Sequence, residues 1–207
     1  MDIQKVLEKL GERRSFFTAE VDFQLEFAWT IRELYPKYEI RMEYCPGYDK
    51  DKHIDILVKT DKGLIPIELK YKTKGCVLKS DDEEYFLKNH GAKDISCYLY
   101  LKDIQRIEEF KEKIPEFIEG YAIMLTNEPS YLNPPARAKC NYEEFSLHQG
   151  VEKHGKLNWG PNTGEGTKKG CEDPIVLKDT YTIKWDDYST VGDDKGGTFH
   201  ITVSTIS

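Results

Sequence analysis

HIDILVKTDKGLIPIELKYKTK, residues 53–74, is the stretch on which the reading of this chain turns. It holds two apolar runs, Ile54 to Val58 and Leu64 to Leu69, separated by Thr60-Asp61-Lys62-Gly63. Short β-branched segments joined by a polar turn with glycine predict a β-hairpin. Into these runs the sequence sets Asp55, Glu68 and Lys70. Charged side chains are rarely buried without a partner or a metal. Glu68 and Lys70 are two apart and share one strand face, while Ile67, Leu69 and Tyr71 share the other. A turn near Asp61 to Gly63 brings Asp55 towards Glu68, so two carboxylates and an ammonium converge. Two convergent carboxylates suit a hard divalent cation such as magnesium. A lysine beside that ion can hold an attacking water and meet charge developing on a phosphate. The competing reading is a solvated hairpin with a surface Glu68–Lys70 pair worth about 0–1 kcal/mol.

Outward from this stretch, the chain alternates helical and strand patterns. Phe16, Phe23, Phe27, Ile31 and Leu34 recur at helical spacing and predict a helix from Ser15 or Thr18 to Tyr35, stopped before Pro36. Residues 2–10 predict a shorter helix ended by Gly11. Tyr38 to Tyr44 reads as a first strand and Cys45 to Lys52 as a loop. Pro66 inside the second hairpin strand lacks a donor, so that strand is bulged there or pairs on one side only from Ile67 onward. Ser80 to Glu84 reads as loop, with a short helix towards Asn89. A long amphipathic helix follows from about Asp94 to Phe117, and Tyr121 to Thr126 reads as a buried strand. Gln105 and Arg106 lie on the long helix, where a solvated face is the preferred reading. The core order is helix, strand, strand, strand, helix, strand.

At Asp55, twelve intervening residues and then Glu68-Leu69-Lys70, the chain resembles the PD-(D/E)XK nuclease superfamily, the restriction-endonuclease-like phosphodiesterases. Ile54 stands where the family name has proline. The resemblance covers about Thr18 to Asn127 and implies an α/β fold with an αβββαβ core, its mixed central sheet flanked by helices. It implies magnesium or manganese held by Asp55, Glu68 and the Leu69 carbonyl, with Lys70 positioning and activating the water. The helix before the first strand often adds a glutamate in this superfamily, for which Glu20 is the first choice and Glu26 the second. Lys72, Lys74 and His53 are the candidates for nucleic-acid contact. The activity implied is phosphodiester hydrolysis of nucleic acid, DNA before RNA. A catalytically inactive nucleic-acid-binding or protein-interaction module on the same fold is the alternative, and a homodimer or a protein partner fits either.

The rest of the chain bounds these expectations. Its 207 residues, 39% hydrophobic and 32% charged, suit a nuclease-like core over 1–127 with a β-rich extension over 128–207 packed on it. The extension shows a short strand with a turn in YEEFSLHQG, a Gly-rich loop over GKLNWGPNTGEGTKKG, and a closing hairpin of YTIKW and TFHITVSTI. No apolar run approaches the ~20 residues of a membrane span. Five dispersed cysteines without Cys-x-x-Cys argue for reduced thiols and a cytoplasmic chain. Cys140, His148, His154 and Cys171 match no zinc-finger or ribbon spacing. The net charge of -7 argues against a protein that coats nucleic acid through overall basicity. Yet eight lysines fall between Lys50 and Lys79, around the proposed site.

Overall fold

A computed structural model describes residues 1–80, 82–136, 140–192 and 196–207. Two helices open the chain, α1 (Ile3–Arg13) and α2 (Glu20–Leu34), followed by β1 (Glu39–Tyr44), β2 (Ile54–Lys59) and β3 (Leu64–Lys72). A hairpin of β4 (Cys76–Ser80) and β5 (Glu83–Leu87) precedes the long helix α3 (Lys93–Lys113) and the strand β6 (Gly120–Thr126). Then come β7 (Glu152–Leu157), a single-turn helix α4 (Glu165–Lys168), β8 (Ile175–Thr182), β9 (Trp185–Thr190) and β10 (Thr198–Ile206). The protein is an α/β structure with one mixed six-stranded sheet, in the order β1-β2-β3-β6-β10-β9, and two separate hairpins, β4-β5 and β7-β8.

The sheet forms because β3 and β6 can bury both faces. On β6 all seven residues are buried. Tyr121, Ile123 and Leu125 join the core beneath α1 and α2, while Ala122 and Met124 face α3. β3 follows the same alternation: Ile65, Ile67, Leu69 and Tyr71 pack with Phe23, Phe27 and Ile31 of α2. Each such large apolar side chain contributes about 1.5–3 kcal/mol on burial. Phe27→Ala, which empties a site with no exposure, would cost about 3–5 kcal/mol. The even positions of β3, Glu68 and Lys70 among them, are left to the α3 side.

Pro66 does not interrupt the sheet. It lies opposite Leu57 in the antiparallel β2–β3 ladder, between the pairs Ile56–Ile67 and Val58–Ile65. Alternation turns its missing donor towards β6, whose parallel pairing with β3 begins only at Ile67–Tyr121. Of the two expectations for this proline, one-sided pairing from Ile67 is the one observed.

Other boundaries moved. α1 continues through Gly11 to Arg13. α2 starts at Glu20 behind Ala19 rather than at Ser15 or Thr18; the Asp22 carboxylate reaches back to accept from Thr18 N–H at 2.8 Å. Residues expected as loop and short helix after Ser80 form the β4–β5 hairpin, because Leu78 and Leu87 point inward from its two strands and are buried. The Gly-rich stretch includes the end of β7 and the short α4, and Glu143–Phe145 is a 3-10 turn instead of a strand. β10 is the expected last strand, but its hairpin partner β9 begins only at Trp185, and Tyr181 and Thr182 of the expected YTIKW strand end β8 instead. β10 pairs with β6 from His200–Thr126 to Ile206–Gly120, so the segment after residue 127 completes the main sheet. None of the five cysteines, all among the described residues, forms a disulfide. No described helix is long and apolar enough to cross a membrane.

Candidate functional site at the open edge of β3

β2 and β3 part company after the Ile56–Ile67 pair. One residue further, their register sets Asp55 opposite Glu68. At the next rung, instead of a backbone partner, the Asp55 Oδ2 atom accepts from Leu69 N–H at 2.7 Å. Two residues on, Glu20 Oε2 accepts from Tyr71 N–H at 2.9 Å and from Lys72 Nζ at 2.9 Å. Leu69 and Tyr71 therefore present successive donors on an edge that β2 has vacated, ~7 Å apart by strand geometry. Two carboxylates, one from β2 and one from the first residue of α2, stand in for the missing strand. The Leu69 carbonyl points to this same edge, since a strand residue aims its N–H and C=O at one neighbour.

The α3 face of β3 carries the remaining charges. Glu68 is fully buried. Its Oε1 accepts from Arg106 Nη1 at 2.8 Å, and its Oε2 is buried with no hydrogen-bond partner. Lys70 Nζ stands 2.8 Å from Asp103 Oδ2, a close ion pair whose alignment falls short of a hydrogen bond. Arg106 Nη1 bridges to Asp103 Oδ1 at 3.3 Å. Asp55, Glu68 and Asp103 thus face Lys70 and Arg106, three carboxylates against two cations.

Burial pushes the Glu68 carboxyl well above its usual range; Asp103 and Asp55 push the same way, and Arg106 and Lys70 oppose them. Burial raises Asp103 too, against the pull of Lys70 and Arg106. For Lys70, burial alone would lower the pKa, but Asp103, Asp55 and Glu68 outweigh it and the group is raised. Lys70 is held beside Asp103 as a partly buried ammonium. Tyr48 packs against the neighbouring cluster of Ile54, Leu57 and Phe110; its hydroxyl is buried without a partner, and burial and Glu109 raise its pKa to about 12.

The structure brings Asp55, Glu68, Lys70, Lys72 and Glu20 around one strand. Glu26 lies elsewhere, bonded to Arg13 and Arg14 at 3.0 and 3.2 Å. Lys74 is exposed; its amide is pinned by Asn127 Oδ1 at 2.7 Å. His53 is exposed and immediately precedes β2.

Asp103 and the inward turn of Arg106 were missed, and the solvated face preferred for Arg106 is corrected. Gln105 does take an outer position, accepting from Lys102 Nζ at 3.2 Å. A signal for Asp103 existed: it falls three after Tyr100 and four before Ile107, on the buried stripe of α3. A charge in that arc needs a partner, and only the opposite strand face could offer one.

As a metal site, the edge passes a chemical test in part. Magnesium is ordinarily held by one or two carboxylates with water and substrate oxygens completing its shell. Asp55, Glu68 and the Leu69 carbonyl are oxygen donors of that kind, and the partnerless Glu68 Oε2 is the atom a cation would satisfy. Among the described residues no group of three or more His, Cys, Asp or Glu side chains is arranged to hold an ion, which also leaves Cys140, His148, His154 and Cys171 without a zinc geometry. No protein-family model matches this chain, and no curated protein sequence does.

Proposed function

We propose that this protein is a divalent-metal-dependent nuclease of restriction-endonuclease-like architecture, hydrolysing phosphodiester bonds in nucleic acid, DNA before RNA. The observation that carries the reading is Glu68: a buried carboxylate with one oxygen on Arg106 and the other without a partner, opposite Asp55 in the strand register and two residues from the partly buried Lys70 ammonium. Support comes from the element order α2, β1, β2, β3, α3, β6 and the neighbour order β1-β2-β3-β6, which agree with the expected αβββαβ core once the β4–β5 hairpin is taken as an insertion.

Asp55, Glu68 and the Leu69 carbonyl would hold magnesium or manganese, with Glu20 on the same edge for a second ion or an ordered water. Bound there, the metal would polarise a phosphoryl oxygen and acidify a water. Lys70 orients the attacking water and, as a cation, stabilises charge on the phosphate. Asp103 fixes Lys70 in place, and Arg106 holds the Glu68 carboxylate on its other oxygen. A second reading, a binding module without catalysis, draws on that same Arg106 contact, which already neutralises half of Glu68.

The test is cleavage of a panel of single- and double-stranded DNA and RNA with manganese or magnesium, wild type beside Lys70→Ala. Cutting by the wild type, reduced about 100-fold or more in the variant, is the expected result, by analogy with removal of one preorganised donor. Binding of nucleic acid without cutting in either metal would favour the module.

A further inference from the structure

The vacated edge of β3 has a third rung. Beyond Leu69 and Tyr71, the next amide on that edge is Thr73 N–H, and it is accepted at 3.0 Å by Nδ1 of His90. His90 N–H returns a bond to Thr73 O at 2.7 Å. Thr73 Oγ1 donates to Lys88 O at 2.6 Å, which fastens the segment after β5 to the end of β3. Three successive amides are therefore covered by Asp55, Glu20 and His90, side chains from three separate elements.

The bond to Thr73 decides the state of the ring. A backbone N–H can only donate, so Nδ1 must accept, and the neutral ring carries its proton on Nε2, on the far side from Thr73. Burial, Lys72 and Lys88 lower the His90 pKa, and Glu20 and the Thr73 backbone oppose them. A purely structural cap looks different in this protein. Asn127, which covers Lys74 N–H at the opposite edge, is almost fully buried and also spends its Nδ2 on Lys74 O and Gly196 O. His90 is only half-buried, and among the described residues its Nε2 makes no hydrogen bond. Lys72 and Lys88 lie close enough to act on it electrostatically. A fixed neutral donor among ammonium groups is suited to an anionic oxygen.

We propose that His90 is a substrate-binding residue whose Nε2–H donates to a phosphate oxygen of a nucleic-acid strand lying along the open edge of β3. The inference deepens the nuclease reading and takes its ligand class from it. His90 lies two rungs of the edge beyond Leu69, so it holds the strand away from the reacting phosphate and takes no part in proton transfer.

The experiment follows the imidazole nitrogens by NMR as a DNA oligonucleotide, single-stranded and then duplex, is added to the wild-type protein without divalent metal. His90 is identified by the signal lost in His90→Asn. Asparagine can still accept from Thr73 N–H through Oδ1 but has no distal donor, whereas glutamine in His90→Gln supplies one. The expected results are a shift of the His90 Nε2 signal, roughly tenfold weaker binding by His90→Asn at an unchanged unfolding midpoint, and partial recovery in His90→Gln. If DNA binds while the His90 signal stays still and His90→Asn binds equally, the proposal is overturned and the nuclease reading survives. If the signal moves and His90→Asn weakens, yet no metal supports cleavage by the wild type, the proposal stands and the nuclease reading falls. If neither DNA form binds, the proposal is overturned, and the nuclease reading is decided separately by the cleavage panel with manganese or magnesium.

Discussion

Two buried glutamates on opposite sides of α3 meet their surroundings in different ways. Glu108, on α3 itself, is 3% exposed and accepts from Lys178 N–H at 3.0 Å, Asp179 N–H at 3.0 Å and Tyr181 Oη at 2.8 Å. Both of its oxygens are used, and it ties α3 to β8. Glu68 is more deeply buried and makes one hydrogen bond, through Oε1 to Arg106. A buried carboxylate that holds a fold together spends its oxygens on fixed donors, because an unsatisfied one costs about 1–3 kcal/mol or more. One that keeps an oxygen without a partner carries that cost in the folded state. A cation bound beside Asp55 would satisfy that atom.

The largest effects should separate the two sites by function. Lys70→Ala is expected to slow metal-dependent cleavage about 100-fold or more, whereas Glu108→Gln should leave the rate of the folded fraction near that of wild type. Single-turnover kinetics on one oligonucleotide would decide this. Asp103→Asn should follow with a loss of roughly tenfold, since Lys70 keeps its charge but loses its ionic tether; an unchanged rate would remove Asp103 from the site.

Stability should show the reverse order. Glu108→Ala strands three donors and should cost about 3 kcal/mol or more in denaturant unfolding. Glu68→Gln should change stability by no more than about 1 kcal/mol, because loss of the Arg106 ion pair is offset by removal of a poorly solvated charge. If Glu68→Gln is as destabilising as Glu108→Ala, the contrast fails.

The smallest effect is in pH dependence. The folded-state pKa of Glu68 is raised above its ordinary value, so the native protein retains a proton that the unfolded chain has released. The contribution of this group to stability is therefore fully present below the ordinary glutamate range and is lost as pH rises through the folded value. Wild type should lose stability relative to Glu68→Gln over that climb. Equal slopes from acid to neutral pH would contradict the raised value.

Much of this was legible in residues 53–74, because a period-two pattern with charges on one face already fixes which side chains converge. The α2 stripe of Phe23, Phe27 and Ile31 and the apolar run of β6 were equally plain. The choice of Glu20 over Glu26 was open, since both lie on one helix and only the packing of α2 on β3 separates them. The β4–β5 hairpin was hidden by its acidic turn, with just Leu78 and Leu87 fully inside to mark its period. Arg106 was misjudged because a polar helix face reads as solvated unless an opposing charge is known. His90 has no local signal in the sequence: it meets Thr73 only through the β4–β5 hairpin that separates them.

The most direct test of the central claim is calorimetric titration of manganese into the wild type, Glu68→Gln and Glu108→Gln. The account predicts binding in wild type and in Glu108→Gln, with loss in Glu68→Gln. Manganese binding that survives in Glu68→Gln, or no binding to the wild type at all, would contradict it.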